Sequence, residues 1–150
     1  MRKIIVDTSC LIILSKIKEL PLLKLLYGEV LITDTISKEF DEPLPDWIIV
    51  CPIKLNENLF LFEKRIDKGE ASAIRLALVI PNCIIIIDDV KGRALAKELG
   101  IKVTGTMGVI ISAKNKKLIP SIKPILEKIK ETNFYISKEL ENEALGLAEE

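Results

Sequence analysis

The chain has 150 residues, 49% of them hydrophobic, and its 22 basic and 22 acidic residues leave a formal net charge of zero. This length suits one domain with a real core, and the apolar fraction excludes a disordered chain. Zero net charge excludes holding nucleic acid by overall charge alone, and the absence of histidine excludes Ser-His-Asp triads, Cys-His pairs and histidine-bound zinc.

The first element, "RKIIVD", reads as a buried strand ending at Asp7. "TSCLIILSKI" follows as a helix with Thr8 or Ser9 as N-cap, then "ELPLLKLLYG" as a short helix closed by Gly28. "EVLIT" is a second strand. "DTISKEFDE" is a helix starting near Thr33 or Asp34 and stopped by Pro43 and Pro45, and "DWIIVCPI" is a short strand ended by Pro52. Residues 56–80 divide into helices "ENLFLFEKRI" and "GEASAIRLALVI" around a turn at Lys68-Gly69. "NCIIIID" is the central strand, "DVKGRALAKELG" a helix with Gly100 as C-cap, and "IKVTG" the strand after it. "TMGVIISAKNKK", "IPSIKPILEKIKE" and "SKELENEALGLAEE" are helical to the end, with Pro120 and Pro124 marking the start and first turns of the second.

Strands and helices alternating in this way predict a mostly parallel sheet with helices on both faces, in one domain over residues 1–150. Asp7 interrupts the apolar N-terminus, so it does not read as a signal peptide. The run "LALVIPNCIIII", broken by Pro81-Asn82, is too short to span a bilayer. Cys10, Cys51 and Cys83 read as free thiols in apolar surroundings. The expectation is a cytoplasmic protein with no membrane partner. Abundant Lys, Glu and Ile without glutamine hints at a thermophilic source.

In an open α/β sheet the functional crevice lies at the carboxyl ends of the strands. Asp7 ends the first strand, and Asp88 and Asp89 end the central one. Glu39 and Glu70 lie on helices that reach the same edge. Two carboxylates about 5 Å apart repel by roughly 3 kcal/mol at an effective dielectric near 20, so such a cluster takes up protons or binds a cation. Oxygen ligands alone select hard ions, Mg²⁺ or Mn²⁺, which serve displacement at phosphoryl centres. Each acid also has a plainer role: Asp7, Asp88 and Asp89 as helix caps, Glu39 as an exposed helix residue, and Glu70 as the favoured charge at a helix N-terminus. Of the adjacent pair, one aspartate is expected to face the crevice, with Asp88 preferred, and the other to cap the helix behind it. A second aspartate two positions after Asp7, needed by haloacid-dehalogenase-type phosphatases, is replaced by Ser9.

The segments "IIVDTSCLI", "ITDTISKEF", "GEASAIRLAL" and "IIIIDDVKGRALAKELGIKVTGTMGVI", in that order, resemble the PIN-domain superfamily, in a prokaryotic branch related to VapC-type toxins. The resemblance runs from residue 3 to about residue 120. It implies a three-layer α/β/α sandwich and a Mg²⁺- or Mn²⁺-dependent ribonuclease. The family's four acids fall on Asp7, Glu39, Glu70, and Asp88 or Asp89. Glutamate at position 70 stands where the family usually has aspartate, and Asp88-Asp89 replaces its usual Thr-x-Asp. The family's small hydroxyl falls on Thr8 or Ser9, which either contacts a water or phosphate or caps the helix. Thr106, in the Thr104-Gly105-Thr106 loop, is a candidate for phosphate binding through backbone N–H groups, or a turn and N-cap. Arg93 and Lys91 either steer a phosphate backbone or offset the acids. RNA is the implied partner, with an antitoxin protein and a homodimer through "PLLKLLYG" and "ENLFLFEKRI" as further expectations. The alternative is a PIN-like binding module without cleavage.

Overall fold

The structure, a computed structural model, describes residues 2–54 and 57–150. Five strands form one all-parallel sheet in the order β3-β2-β1-β4-β5. They are β1 (Lys3–Val6), β2 (Val30–Thr33), β3 (Ile48–Cys51), β4 (Cys83–Ile86) and β5 (Lys102–Thr104). The central strands are near-continuous β-branched runs because both faces are covered: Ile5, Val6, Val30, Ile32, Ile85 and Ile86 are fully buried. The helices are α1 (Thr8–Lys16), α2 (Pro21–Tyr27), α3 (Asp34–Phe40), α4 (Glu57–Glu63), α5 (Lys68–Val79), α6 (Val90–Glu98), α7 (Thr106–Asn115), α8 (Lys123–Lys130) and α9 (Lys138–Leu147). They flank the sheet to make an α/β/α sandwich. Helix α5 packs on β1, β2 and β4, whereas α2 joins β2 to α7.

The strand order creates the functional edge. Strands β1 to β3 step outward in one direction, and the chain then returns to place β4 on the other side of β1. The two strands run in register from Lys3 opposite Cys83 to Val6 opposite Ile86. The next residues, Asp7 and Ile87-Asp88, therefore leave the sheet side by side at its topological switch point, where loops part and a crevice opens.

Three local expectations need correcting. The N-cap of α1 is Asp7, not Thr8 or Ser9. Lys68 and Gly69 form no turn; both lie in the first turn of α5, whose N-cap is Asp67 in a capping box with Glu70. Pro120 does not open α8, which starts at Lys123 with Pro124 in its first turn; the amide of Ile122 is instead taken by Glu150 Oε2 at 2.8 Å. Cys10 is buried and Cys51 and Cys83 are half-buried, all three as free thiols. In the helices expected to dimerise, Leu22, Leu23, Leu59 and Phe62 are core, while Leu25 and Leu61 are exposed; the side chain of Phe60 lies outside the described residues. Among the described residues no helix is long and apolar enough to cross a membrane.

Candidate metal centre

Asp7 stands at the end of β1 with extended backbone (φ −80°, ψ 161°), its own amide closing the sheet ladder on Ile86 O at 3.0 Å. Its side chain is only 3% exposed, and Oδ1 is buried with no hydrogen-bond partner among the described residues. A buried carboxylate in that state favours its neutral form. Burial pushes Asp7 up to about 7; the charges of Asp67, Glu39 and Asp88 push the same way, and the Thr8 amide relieves this only in part.

Glu70 reaches the cluster from α5. It sits at the third position of the helix because the Asp67 side chain accepts its amide at 2.8 Å, while Glu70 Oε1 accepts the Asp67 amide at 3.3 Å. Burial first, then the adjacent Asp67 carboxyl and the charge of Asp7, push Glu70 up to about 8. Its other oxygen lies against α6: a Cβ on Gly92 would come within 3.0 Å of Glu70 Oε2 and 2.6 Å of Ile87 Cδ1. Only glycine lets α6 approach this closely.

Glu39, exposed on α3, accepts a hydrogen bond from Thr8 Oγ1 at 2.8 Å. A Cβ on Gly69 would lie 2.0 Å from Glu39 Oε1 and 3.2 Å from Thr8 Oγ1, so α3, α1 and α5 meet where α5 carries no side chain. Deeper in, a buried pair fixes α3 to α5. Thr33 and Ser72 hydroxyls are 2.6 Å apart, Ser72 donates to Gly69 O at 2.7 Å, and Thr33 accepts the Ile36 amide as N-cap of α3.

The two adjacent aspartates have different jobs. Asp89, exposed, caps α6 by accepting the Gly92 amide on Oδ2 at 3.0 Å. Asp88, half-buried, faces the cluster closely enough to raise Asp7. Its carboxylate is held by Thr106, whose amide donates to Oδ1 at 2.8 Å and whose hydroxyl donates to Oδ2 at 2.6 Å. Thr106 is thus buried behind an acid, not presented to substrate. Cys10 lies beside it, its thiol pushed up by burial and so kept protonated. Arg93 donates from Nη1 to Ile87 O at 3.1 Å. With Asp88 it lines an open hollow of about 410 Å³, along with Val90, Gly105, Met107 and Leu140. Neither Arg93 nor Lys91 forms an ion pair with an acid among the described residues. Ser9 is exposed and lines a separate depression with Ile12, Lys16 and Phe134, away from the carboxylates.

Asp67 was missed by the sequence reading. Its signal was the Asp-x-x-Glu capping box before an apolar run, concealed by treating Gly69 as a turn. The Thr33–Ser72 pair carries no sequence signal, being a contact across 39 residues.

Among the described residues no three carboxylates or thiols form a ready-made metal cage. The acids are of the oxygen-donor type that hard divalent ions take, although no three of them converge as placed. All the donors are oxygens, Asp7 Oδ1 has no hydrogen-bond partner among the described residues, and burial, with the neighbouring acids adding to it, raises both Asp7 and Glu70. Asp7, Glu70, Asp67 and Asp88 are the side chains that could hold such an ion, with Glu39 at the mouth.

A family model described as a PIN domain matches residues 3–150, whereas no curated protein and no solved structure matches the chain. PIN domains are generally nucleases acting on nucleic acids, and they usually bind divalent metals. With a match over that span and an all-parallel sheet of the expected kind, the chain belongs to the PIN-domain superfamily.

Proposed function

We propose that this chain is a single-domain ribonuclease that hydrolyses RNA phosphodiesters with the aid of bound Mg²⁺ or Mn²⁺. The observation that carries the reading is the orphaned Asp7 Oδ1, buried at the switch point and crowded by Asp67, Glu39 and Asp88. Asp7, Glu70 and Asp88 act as metal ligands, Asp67 adds charge from the cap of α5, and Asp89 serves α6. Bound there, such an ion would supply charge to a phosphoryl oxygen and lower the pKa of an attacking water. Glu39, exposed and hydrogen-bonded by Thr8, would serve as the proton acceptor, and Arg93, which lines the hollow beside Asp88, would face the strand.

The tight hold of Thr106 on both Asp88 oxygens favours a second reading, a PIN-like binding module without cleavage. Two measurements separate them. Mn²⁺ is expected to raise the thermal midpoint of the wild type and not of Asp7→Asn. Cleavage of single-stranded RNA is expected to need metal and to vanish in Asp88→Asn. Metal binding without cleavage supports the binding module; equal Mn²⁺ shifts in both proteins remove the metal centre. If the chain is a cytoplasmic VapC-type toxin, its antitoxin places a basic side chain in the acidic crevice, and co-purification with a co-expressed neighbouring gene product tests this. A homodimer would use the exposed Leu25 and Leu61, and sedimentation tests it.

A further inference from the structure

A chain of zero net charge gains little from overall attraction to RNA, so contacts to the bases must carry more of the hold on a single strand. The hollow of about 410 Å³ that includes Asp88 offers such contacts, and its volume is that of a small-ligand site, about 300–1,000 Å³. One part of its lining is polar. Arg93 donates from Nη1 to Ile87 O at 3.1 Å, and a Cβ on Gly105 would lie 3.0 Å from that nitrogen and 2.8 Å from Asp88 Oδ1. Guanidinium and carboxylate therefore share the open side of Gly105. Much of the remaining lining is apolar: Val90 from α6, Met107 and Ile111 from α7, and Leu140 and Leu147 from α9.

These apolar walls are left open where a core would close them. Leu140, Ala144 and Leu147 fall on one face of α9, which packs on α7. Ala144 is buried, whereas Leu140 and Leu147 stay 39% and 58% exposed, so the small residue seats the helix and the leucines beside it line a gap. Val90, directly after the two aspartates, is 80% exposed. Helix α9 is fastened at both ends. Glu141 near its start pairs with Lys130 at 2.7 Å; beyond its end Lys114 donates to Ala148 O at 2.9 Å, and Glu150 accepts the Ile122 amide at 2.8 Å. Those bonds keep the gap at its width. Because Asp88 belongs to the lining, whatever occupies the hollow lies against a proposed metal ligand. That shared carboxylate favours a part of the substrate strand over a protein side chain.

Resting on the ribonuclease reading, we infer that the hollow between α6, α7 and α9 is a base site, which holds one unstacked nucleobase of the RNA beside the phosphate at Asp88. The base lies against Met107, Ile111 and Leu140, where the thioether and the aliphatic side chains suit its faces, and its phosphate faces Arg93. The test is titration of the full chain in EDTA with each of the four nucleoside 5′-monophosphates and with ribose 5-phosphate, read from backbone amide NMR shifts. At least one nucleotide is expected to shift the amides of Met107 and Leu140 and to bind about fivefold or more tightly than ribose 5-phosphate. Leu140→Ser and Leu147→Ser are each expected to reduce nucleotide affinity to that of ribose 5-phosphate. Should either fail to fold, Val90→Ser, at a more exposed position, carries the same expectation. Ribose 5-phosphate binding as tightly as every nucleotide would overturn the inference. So would shifts that bypass the hollow, or folded variants that bind as the wild type does. A nucleotide preference in a chain that cleaves no RNA with Mn²⁺ would remove only the ribonuclease reading, whereas metal-dependent cleavage without the preference would remove only the base site.

Discussion

Thr106 donates both its amide and its hydroxyl to the carboxylate of Asp88, at 2.8 and 2.6 Å, from the first residue of α7. The acid is thereby held in one orientation toward Asp7, and α7 gains a cap from a residue 18 positions earlier. Thr106→Val keeps the shape and the amide but deletes the hydroxyl. The expected cost is about 1–2 kcal/mol, because the Asp88 carboxyl group is half-exposed and water replaces part of the bond. The metal should feel it more: loss of an orienting contact of this kind lowers affinity about tenfold or more. Thermal melts with and without Mn²⁺ measure both. A variant that melts lower yet keeps the full metal response would show that Thr106 only caps the helix.

Asp7 and Glu70 give the apo protein a pH dependence whose sign follows from the protons they retain. Asp7 is raised from its ordinary 3.8 to about 7 and Glu70 from 4.5 to about 8. The folded state therefore binds more protons than the unfolded chain between about pH 4 and 8, and stability falls as pH rises through that window. For Asp7 alone the displacement corresponds to at most about 4 kcal/mol. Asp7→Asn should accordingly melt above the wild type at pH 8 in EDTA and close to it at pH 4. Comparing the two proteins cancels the acid-side effects of other carboxylates. A variant less stable than wild type at pH 8 would mean that Asp7 is ionised and satisfied in the free protein.

The parts of this arrangement that were legible in sequence are those set by local pattern. Four consecutive isoleucines before Asp88, and the β-branched run before Asp7, marked two buried strands and the positions of their terminal acids. What was hidden depended on tertiary contact. Whether Asp88 or Asp89 faces Asp7 is decided by Thr106 and Gly92, each claiming one aspartate. Thr106 looked like a phosphate contact because its loop lies at the correct edge; only packing shows its donors turned inward. Asp67 was local and readable, yet Gly69 was assigned to a turn, although glycine is there to let Glu39 and Thr8 approach.

Asp67 separates capping from charge. Asparagine caps a helix as well as aspartate, so Asp67→Asn should leave α5 intact, whereas Asp67→Ala should cost about 1 kcal/mol. Removing the charge also lowers the pKa of Glu70, since the Asp67 carboxyl and its charge help to raise it. Asp67→Asn is thus expected to be as stable as wild type at pH 5 and more stable at pH 8, with a weaker response to Mn²⁺. Equal Mn²⁺ responses would place Asp67 outside the metal's field.

Gly69 offers a test in which stability and function should part. An added Cβ would sit 2.0 Å from Glu39 Oε1 and 3.0 Å from its Cδ. Those atoms are the far end of a flexible, exposed side chain, so Glu39 can swing away instead of forcing the helices apart. Alanine also suits the first turn of α5 better than glycine, by up to about 1 kcal/mol. Gly69→Ala should therefore fold with a midpoint equal to or above that of the wild type. The displaced Glu39 loses its 2.8 Å bond to Thr8 and with it the orientation needed to accept a proton from an attacking water. RNA cleavage is expected to fall by about two orders of magnitude, the scale of a positioned acid or base, while Mn²⁺ still raises the midpoint through Asp7. Full cleavage in Gly69→Ala would exclude Glu39 from the chemistry, and loss of the Mn²⁺ shift would make Glu39 a metal ligand instead.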